Sequence, residues 1–199
     1  PLGPHWHRAA ADGADRLVPR IHAVRHPDLQ DRPLIWLPEG PARPIPEHLD
    51  RFWQSTPSAL TGTRAGDSYH VRWIGLDDAS TEQVLALIEA GDKTGTFTLP
   101  WLVARTGQQT PRVGDAIILI DFGGQPRLLV RLTGIEEVPF GEIRERHTAV
   151  DGTPVRSLTV WKPLHTQYWN AMLKPFGLQV SDDMPVLVER FELLARPRT

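Results

Sequence analysis

The 199-residue chain contains no cysteine, which excludes disulfide bonds, thiolate nucleophiles and cysteine-ligated zinc. No apolar run approaches the ~20 residues that a helix needs to cross a bilayer, and the start of the chain lacks the apolar core of a signal peptide. These absences predict a cytoplasmic protein without membrane contact. The net charge is −2 at pH 7, so any contact with a nucleic acid must come from a local patch rather than from the whole surface.

The chain nevertheless has enough apolar residues for a core, with 40% hydrophobic residues that include seven Trp and six Phe. Prolines recur throughout residues 1–46 and interrupt every helical window there. We therefore predict a proline-rich N-terminal arm over residues 1–46, which packs through Trp36 onto a single domain over residues 47–199. The histidines of the arm lack carboxylate companions at the spacing of a metal site. We expect no metal and no cofactor.

Hydrophobic periodicity and turn residues predict short strands among three or four helices. The predicted helices cover Pro46 to about Gln54, a segment with Ser80 as N-cap that ends at Gly91, residues 141–148, and residues 158–176 with a start that Pro163 shifts to about residue 162. The predicted strands cover residues 68–74, 116–122, 128–134 and 184–194. This order predicts an α+β fold, a small, partly closed β-barrel flanked by helices.

The segment from Gly91 to Thr96 carries the chemistry. Lys93 is one of three lysines among 22 Lys and Arg residues. Arginine keeps its proton in proteins, whereas a partly desolvated lysine can lose it and act as a base. Thr96 adds a hydroxyl, so the two side chains form a nucleophile pair if they meet. The alternative is a solvated turn in which Gly91 caps the helix and Lys93 is exposed.

This Gly-x-Lys-x-x-Thr segment resembles the signature of the ASCH domain, a small PUA-like β-barrel family. Further pieces resemble the family in the same order over roughly residues 50 to 195: Phe52–Gln54, Trp73–Gly75, Pro111–Asp115, Gly124–Pro126, Val138–Ile143, Asp183–Val186 and Glu189–Phe191. The resemblance implies a PUA-like barrel and two activities. Some members resemble amidohydrolases that deacetylate acetylcytidine, and others are regarded as ribonucleases or RNA-binding modules.

In the amidohydrolases the motif threonine is the proposed nucleophile, the lysine its base, and a downstream glutamate completes the set. The resemblance therefore implies catalytic roles for Lys93 and Thr96. The family segment Glu-Gly-Glu-Gly is replaced here by Asp151-Gly152-Thr153-Pro154, so Asp151 takes the place of one acid and the second acid is absent. Asp151 either orients Lys93 or belongs to a surface Asp-Gly turn. Glu136, Glu137 and Glu142 are alternative acids.

A binding role needs a cationic cleft with aromatic residues rather than a complete catalytic set. The candidate ligand-binding residues are Arg72, Arg112, Arg156, Lys162, His165 and Tyr168. His165 also matches a histidine often found in the family, with a hydrogen-bonded structural histidine as the alternative. We predict a domain that recognises RNA or a modified nucleoside or nucleotide around Lys93 and Thr96. Hydrolysis at this site and a protein-interaction scaffold are the alternatives, and the sequence does not define the oligomeric state.

Overall fold

The computed structural model describes residues 40–57, 69–105 and 110–197. Most of the predicted N-terminal arm, including Trp36, lies outside the described residues, so its packing stays a prediction. Residues 40–45 precede the first described helix, and the Ala42 N–H donates to the Phe122 carbonyl at 2.8 Å. The end of the arm therefore runs along the hairpin that follows residue 120.

The described chain forms five α-helices, two 3₁₀ turns and five strands. The helices are α1 (Pro46–Ser55), α2 (Asp78–Glu89), α3 (Pro100–Arg105), α4 (Glu145–Thr148) and α5 (Leu158–Leu173), and the 3₁₀ turns are Phe140–Glu142 and Lys174–Phe176. The strands are β1 (Tyr69–Arg72), β2 (Gly95–Thr98), β3 (Ala116–Ile120), β4 (Pro126–Pro139) and β5 (Pro185–Ala195). The α+β class predicted from the sequence is confirmed.

The strands form one sheet in the order β1-β3-β4-β5-β2. β1 pairs with β3 in parallel, and the other pairs are antiparallel. Among the described residues β1 and β2 are the two edges and do not pair, so the sheet is open and the predicted barrel closure is not seen. Each edge strand has only four residues, which leaves little backbone with which to close a barrel.

The sheet is nevertheless strongly curved. The Arg72 Nη1 atom on β1 lies 2.6 Å from the Glu189 Oε2 atom on β5. Three strand-to-strand steps separate β1 from β5, about 14 Å in a flat sheet. Through Leu119, Arg72 is level with Leu128 of β4, whereas Glu189 is level with Ile135, which adds about 23 Å along the strands. Because two side chains reach each other over that separation, the sheet bends toward the side on which both residues project.

Helices cover both faces of the sheet. One face, here called the α2 face, packs Leu85 and Ile88 of α2 against β3, β4 and Phe191 of β5. The opposite face, here called the α5 face, packs Trp161 and Trp169 of α5 against β4 and β5. Helix α1 covers the remaining part of this second face, against β3. The residues of β3 thus alternate between two buried environments, which is why β3 reads as a continuous apolar run.

Helix α2 begins earlier than its sequence predicts. The predicted N-cap was Ser80, but Asp77 is the N-cap. Its carboxylate accepts a hydrogen bond from the Ser80 N–H at 2.8 Å, and the Ser80 hydroxyl accepts one from the Asp77 N–H at 3.0 Å. The capping box is therefore formed three residues before the predicted one, since Asp77 supplies a stronger acceptor.

Two other helical predictions need correction. Helix α5 begins at Leu158 and continues through Pro163, because the fully buried Trp161 and Leu173 hold its two ends on the core. The predicted helix over residues 141–148 is instead a 3₁₀ turn followed by the four-residue α4. Helix α3 was not predicted from the sequence.

Candidate functional site

The motif segment is anchored by backbone hydrogen bonds at both ends. After α2, Gly91 adopts a φ of +75°, and the N–H groups of Asp92 and Lys93 both donate to the Leu87 carbonyl at 2.9 and 3.1 Å. The Thr94 N–H then donates to the Val150 carbonyl at 2.8 Å. The helix end therefore fixes Lys93, and the Thr94 bond places the motif beside the segment that follows α4.

This arrangement joins Lys93 to Asp151. The Lys93 Nζ atom donates to Asp151 Oδ1, which also accepts the Gly152 N–H at 3.1 Å. Lys93 is 5% exposed and Asp151 7% exposed. The interpretation of Lys93 as part of a solvated turn, and of Asp151 as part of a surface turn, is therefore wrong. The two residues form a buried ion pair.

Thr96 lies on β2 directly opposite Glu189 of β5. Side chains of directly opposed residues project from the same face of a sheet, and Phe191, two residues beyond Glu189, belongs to the α2 cluster. Thr96 therefore projects toward the α2 face and is half-buried. Within the described residues the Lys93 amine makes no hydrogen bond to the Thr96 hydroxyl, so the direct contact required of a nucleophile pair is not present.

Glu189 was not predicted as a site residue. It is 0% exposed, and its Oε2 atom accepts a hydrogen bond from Arg72 Nη1 at 2.6 Å. Its Oε1 atom is buried and has no hydrogen-bond partner among residues 40–57, 69–105 and 110–197. The sequence signal was a carboxylate within the otherwise apolar first half of β5, at a position that alternation assigns to the same face as Phe191.

His165 lies in an aromatic cluster on the α5 face. Its ring stacks on Trp161 with centroids 4.0 Å apart and an interplanar angle of 17°, and the edge contact to Phe97 has centroids 5.5 Å apart. His165 Nδ1 lies 2.9 Å from the Trp161 carbonyl oxygen. Because a carbonyl only accepts, Nδ1 carries the hydrogen and Nε2 presents a lone pair.

Burial lowers the pKa of His165 to about 4. The hydrogen bond to the Trp161 carbonyl and the negative charge of Asp151 oppose this shift, and the positive charge of Lys93 adds to it. His165 is therefore a neutral hydrogen-bond acceptor at pH 7, within the electrostatic range of the buried ion pair.

Arg156 is tied to the motif through Asp92. The Arg156 Nη2 atom donates to the Asp92 carbonyl at 2.8 Å and also to its carboxylate. The other Asp92 oxygen accepts the Thr153 N–H at 2.9 Å, and this bond, with the charge of Arg156, lowers the pKa of Asp92. Arg156 keeps 42% of its side chain exposed, which leaves a cation at the rim of the motif.

The other predicted residues are spread over the domain. Lys162 Nζ lies 5.3 Å from the centre of the Phe140 ring. Tyr168 packs on the α5 cluster, where burial raises its pKa. Arg112 lies exposed before β3, where its N–H donates to Asp115 Oδ2 at 2.8 Å. No contact between described residues joins Arg112 to the rest of the predicted set.

A surface cavity of about 430 Å³ opens elsewhere, lined by His48, Arg51, Phe52, Ser55, Gln125, Pro126 and Pro197. None of the residues predicted to bind or react lines it, so we place the candidate site at Lys93. Within residues 40–57, 69–105 and 110–197, no group of three or more His, Asp or Glu side chains is arranged to hold a metal ion. No helix of the described chain has the length and apolarity that a membrane span requires.

The comparisons with known proteins agree with this fold. The family model of the ASCH domain matches residues 72–195, and the chain belongs to the ASCH domain family, whose fold is PUA-like. A search of the curated proteins found no match.

Solved structures with a similar fold include the following two. The ASCH domain from Lactobacillus crispatus JV V101 has a TM-score of 0.65 and 19% identity, over 74% of this chain and 94% of that one. A protein from Enterococcus faecalis V583 has a TM-score of 0.63 and 24% identity, over 75% of this chain and 89% of that one. At these identities the likeness concerns the fold.

Proposed function

We propose that this ASCH domain binds a nucleoside or nucleotide, free or within single-stranded RNA, at the buried ion pair of Lys93 and Asp151. The burial of that pair, with 5% and 7% exposure, is the observation that carries the proposal. Removing two charges from water costs about as much as their attraction returns, and apolar residues of similar volume often stabilise a fold equally well. A buried pair of this kind is therefore better explained by a ligand than by packing.

The groups around the pair complement a nucleobase and its sugar. Lys93 supplies ammonium donors, Asp151 a carboxylate acceptor, and His165 a neutral acceptor at Nε2. Base edges likewise combine donors and acceptors, which single-stranded RNA exposes to a protein. Arg156, with 42% of its side chain exposed, is the cation suited to a phosphate.

The ion pair favours binding over hydrolysis. A general base must be able to take up a proton, whereas the Lys93 ammonium already donates to the Asp151 carboxylate. A cation held in this way donates hydrogen bonds to a ligand without further change.

Amidohydrolysis of the acetylcytidine type is the second candidate. Asp151 stands where the family carries an acid, and it contacts Lys93. If Lys93 serves as the base, Lys93→Arg abolishes turnover, because the guanidinium keeps its proton. If the site only binds, the same variant retains affinity within about tenfold, or ~1.4 kcal/mol.

Calorimetric titrations with N4-acetylcytidine, cytidine, cytidine monophosphate and a short single-stranded RNA test binding, and chromatography of the acetylated nucleoside tests turnover. Lys174→Arg, at an exposed lysine on the chain, is the matched control. For RNA we expect log K to fall with log salt by about 0.7 per phosphate contacted, and for cytidine we expect almost no salt dependence. Failure to bind any of the four probes at millimolar concentration refutes the proposed function. Deacetylation that is lost in both Lys93→Arg and Thr96→Ala reverses our order of the two candidates.

A further inference from the structure

The α2 face holds a carboxylate oxygen to which no described residue donates a hydrogen bond. Glu189 is completely buried and Arg72 holds its Oε2 atom at 2.6 Å, whereas its Oε1 atom has no hydrogen-bond partner in the described part of the chain. A buried carboxylate oxygen without a donor costs free energy, since it has lost its hydration and gained nothing in return. We therefore expect a hydrogen-bond donor to reach this oxygen in some state of the protein.

Thr96 is the hydroxyl best placed to be that donor. It is the direct cross-strand partner of Glu189 in the pairing of β2 with β5, and directly opposed residues have Cβ atoms about 5 Å apart on the same face. Thr96 is half-buried, and its hydroxyl makes no hydrogen bond to any other group among the described residues. A donor and an acceptor, each without a partner, therefore occupy facing positions.

Arg72 determines which carboxylate oxygen of Glu189 is available to accept a further hydrogen bond. Its guanidinium engages Oε2 from the far edge of the sheet, so the carboxylate is anchored and its second oxygen has a defined position. On the other strand, Gly95 precedes Thr96, and a Cβ at that position would lie 2.3 Å from the Glu189 carbonyl oxygen. The backbones of β2 and β5 are thus held close together at the Thr96–Glu189 pair, and rotation about the Thr96 Cα–Cβ bond is the movement that brings the hydroxyl to Oε1.

We propose that Glu189 is a positioning residue for Thr96, whose hydroxyl donates to Glu189 Oε1 in the working state of the site. This inference rests on the proposed function, to which it adds that Thr96, three residues after Lys93, also meets the ligand. With its proton directed to Glu189, the Thr96 oxygen presents its lone pairs outward. It then accepts hydrogen bonds from a ligand N–H, and an amino-bearing base such as cytosine or adenine supplies that group. The carboxylate of Glu189 itself, being buried, contacts no ligand.

The rotamer of Thr96 tests the proposal independently of any ligand. Three-bond couplings from the Thr96 Cγ2 to the backbone N and carbonyl carbon report χ1 in solution. We expect one rotamer, with the hydroxyl toward β5, in the free protein or after addition of cytidine. We expect rotamer averaging in Glu189→Leu, whose side chain can neither accept nor donate a hydrogen bond. A hydroxyl turned away from β5 both with and without cytidine overturns the proposal using the unmodified protein alone, even if the variant does not fold. Couplings that are identical in Glu189→Leu also overturn it.

A double-mutant cycle supplies the functional arm. Thr96→Val removes the hydroxyl at nearly constant shape, and Glu189→Gln removes the charge of the acceptor. We expect each to weaken cytidine binding by about tenfold and the double variant to be no weaker than either single one, because both act through one hydrogen bond. Additive losses show separate effects and refute the positioning role. If cytidine binds no form of the protein, the proposed function fails while the couplings still decide the role of Glu189.

Discussion

Removing one partner of the buried ion pair is expected to destabilise the domain strongly. In Lys93→Met the Asp151 carboxylate remains buried without its counter-ion. The side chains are 5% and 9% exposed, so water screens the remaining charge little. Breaking a buried pair from one side costs about 3–5 kcal/mol, and we expect a loss of that size in the free energy of unfolding at pH 7.

The double variant Lys93→Met with Asp151→Asn separates the charge from the packing. It leaves no buried charge, and the asparagine Oδ1 can still accept the Gly152 N–H that Asp151 accepts at 3.1 Å. We therefore expect it to recover most of the stability lost in Lys93→Met, because the pair returns little beyond its own desolvation cost.

Urea unfolding followed by circular dichroism measures these differences, provided that the slope with denaturant stays constant. The matched control is Glu192→Gln, which breaks the ion pair of Arg131 and Glu192, whose side chains are 32% and 48% exposed. Exposed pairs contribute about 0–1 kcal/mol. A loss in Lys93→Met no larger than that in Glu192→Gln refutes the reasoning, and so does a double variant that is less stable than Lys93→Met.

Two further predictions concern pH and backbone packing. The pKa of His165 is lowered from 6.5 to about 4, so the unfolded chain binds more protons between these values. The contribution of neutral His165 to the free energy of unfolding is complete above about pH 6.5 and is lost as the pH falls toward 4. From pH 8 to pH 5 we expect a loss of about 2 kcal/mol. In urea unfolding, the stability of His165→Asn should depend less on pH by the same amount. Equal pH dependence in both proteins contradicts this assignment. Gly95→Ala should lower the melting temperature, because the new Cβ would lie 2.3 Å from the Glu189 carbonyl oxygen and 2.7 Å from the Val150 side chain. Gly134→Ala is its control, since no atom lies nearer than 3.9 Å there, and similar melting temperatures for the two variants would contradict the packing argument.

Local sequence signals determined the elements whose causes are local. Pro46 at the first helical position predicts the start of α1, and the unbroken apolar run predicts the buried strand β3. The order of motifs from residue 50 to 195 was sufficient to assign the family that the match over residues 72–195 shows. The helix start, the buried strand and each single motif depend on residues that are close together in the chain, so they can be read from one sequence.

Within the candidate site the sequence singled out Lys93, Thr96 and Asp151 but not their arrangement. Lys93 and Asp151 are 58 positions apart, and their contact depends on the Thr94 N–H reaching the Val150 carbonyl. The sequence left Asp151 open between a surface turn and a partner of Lys93, because an Asp-Gly dipeptide has the same local preference in either place. Only the burial of Asp151 in the structure distinguishes the surface turn from the partner of Lys93.

Only the tertiary structure decided how the sheet curves and which carboxylate faces Thr96. Arg72 and Glu189 are 117 positions apart, and they meet because β3 and β4 carry β1 around toward β5. The pairing of Thr96 with Glu189 likewise follows from the register of two strands that are distant in sequence. Register and curvature are set by how the two covered faces of the sheet pack against α2 and α5. A pattern of apolar residues indicates that a strand is buried. Which side chains contact that strand depends on how the helices pack against the sheet.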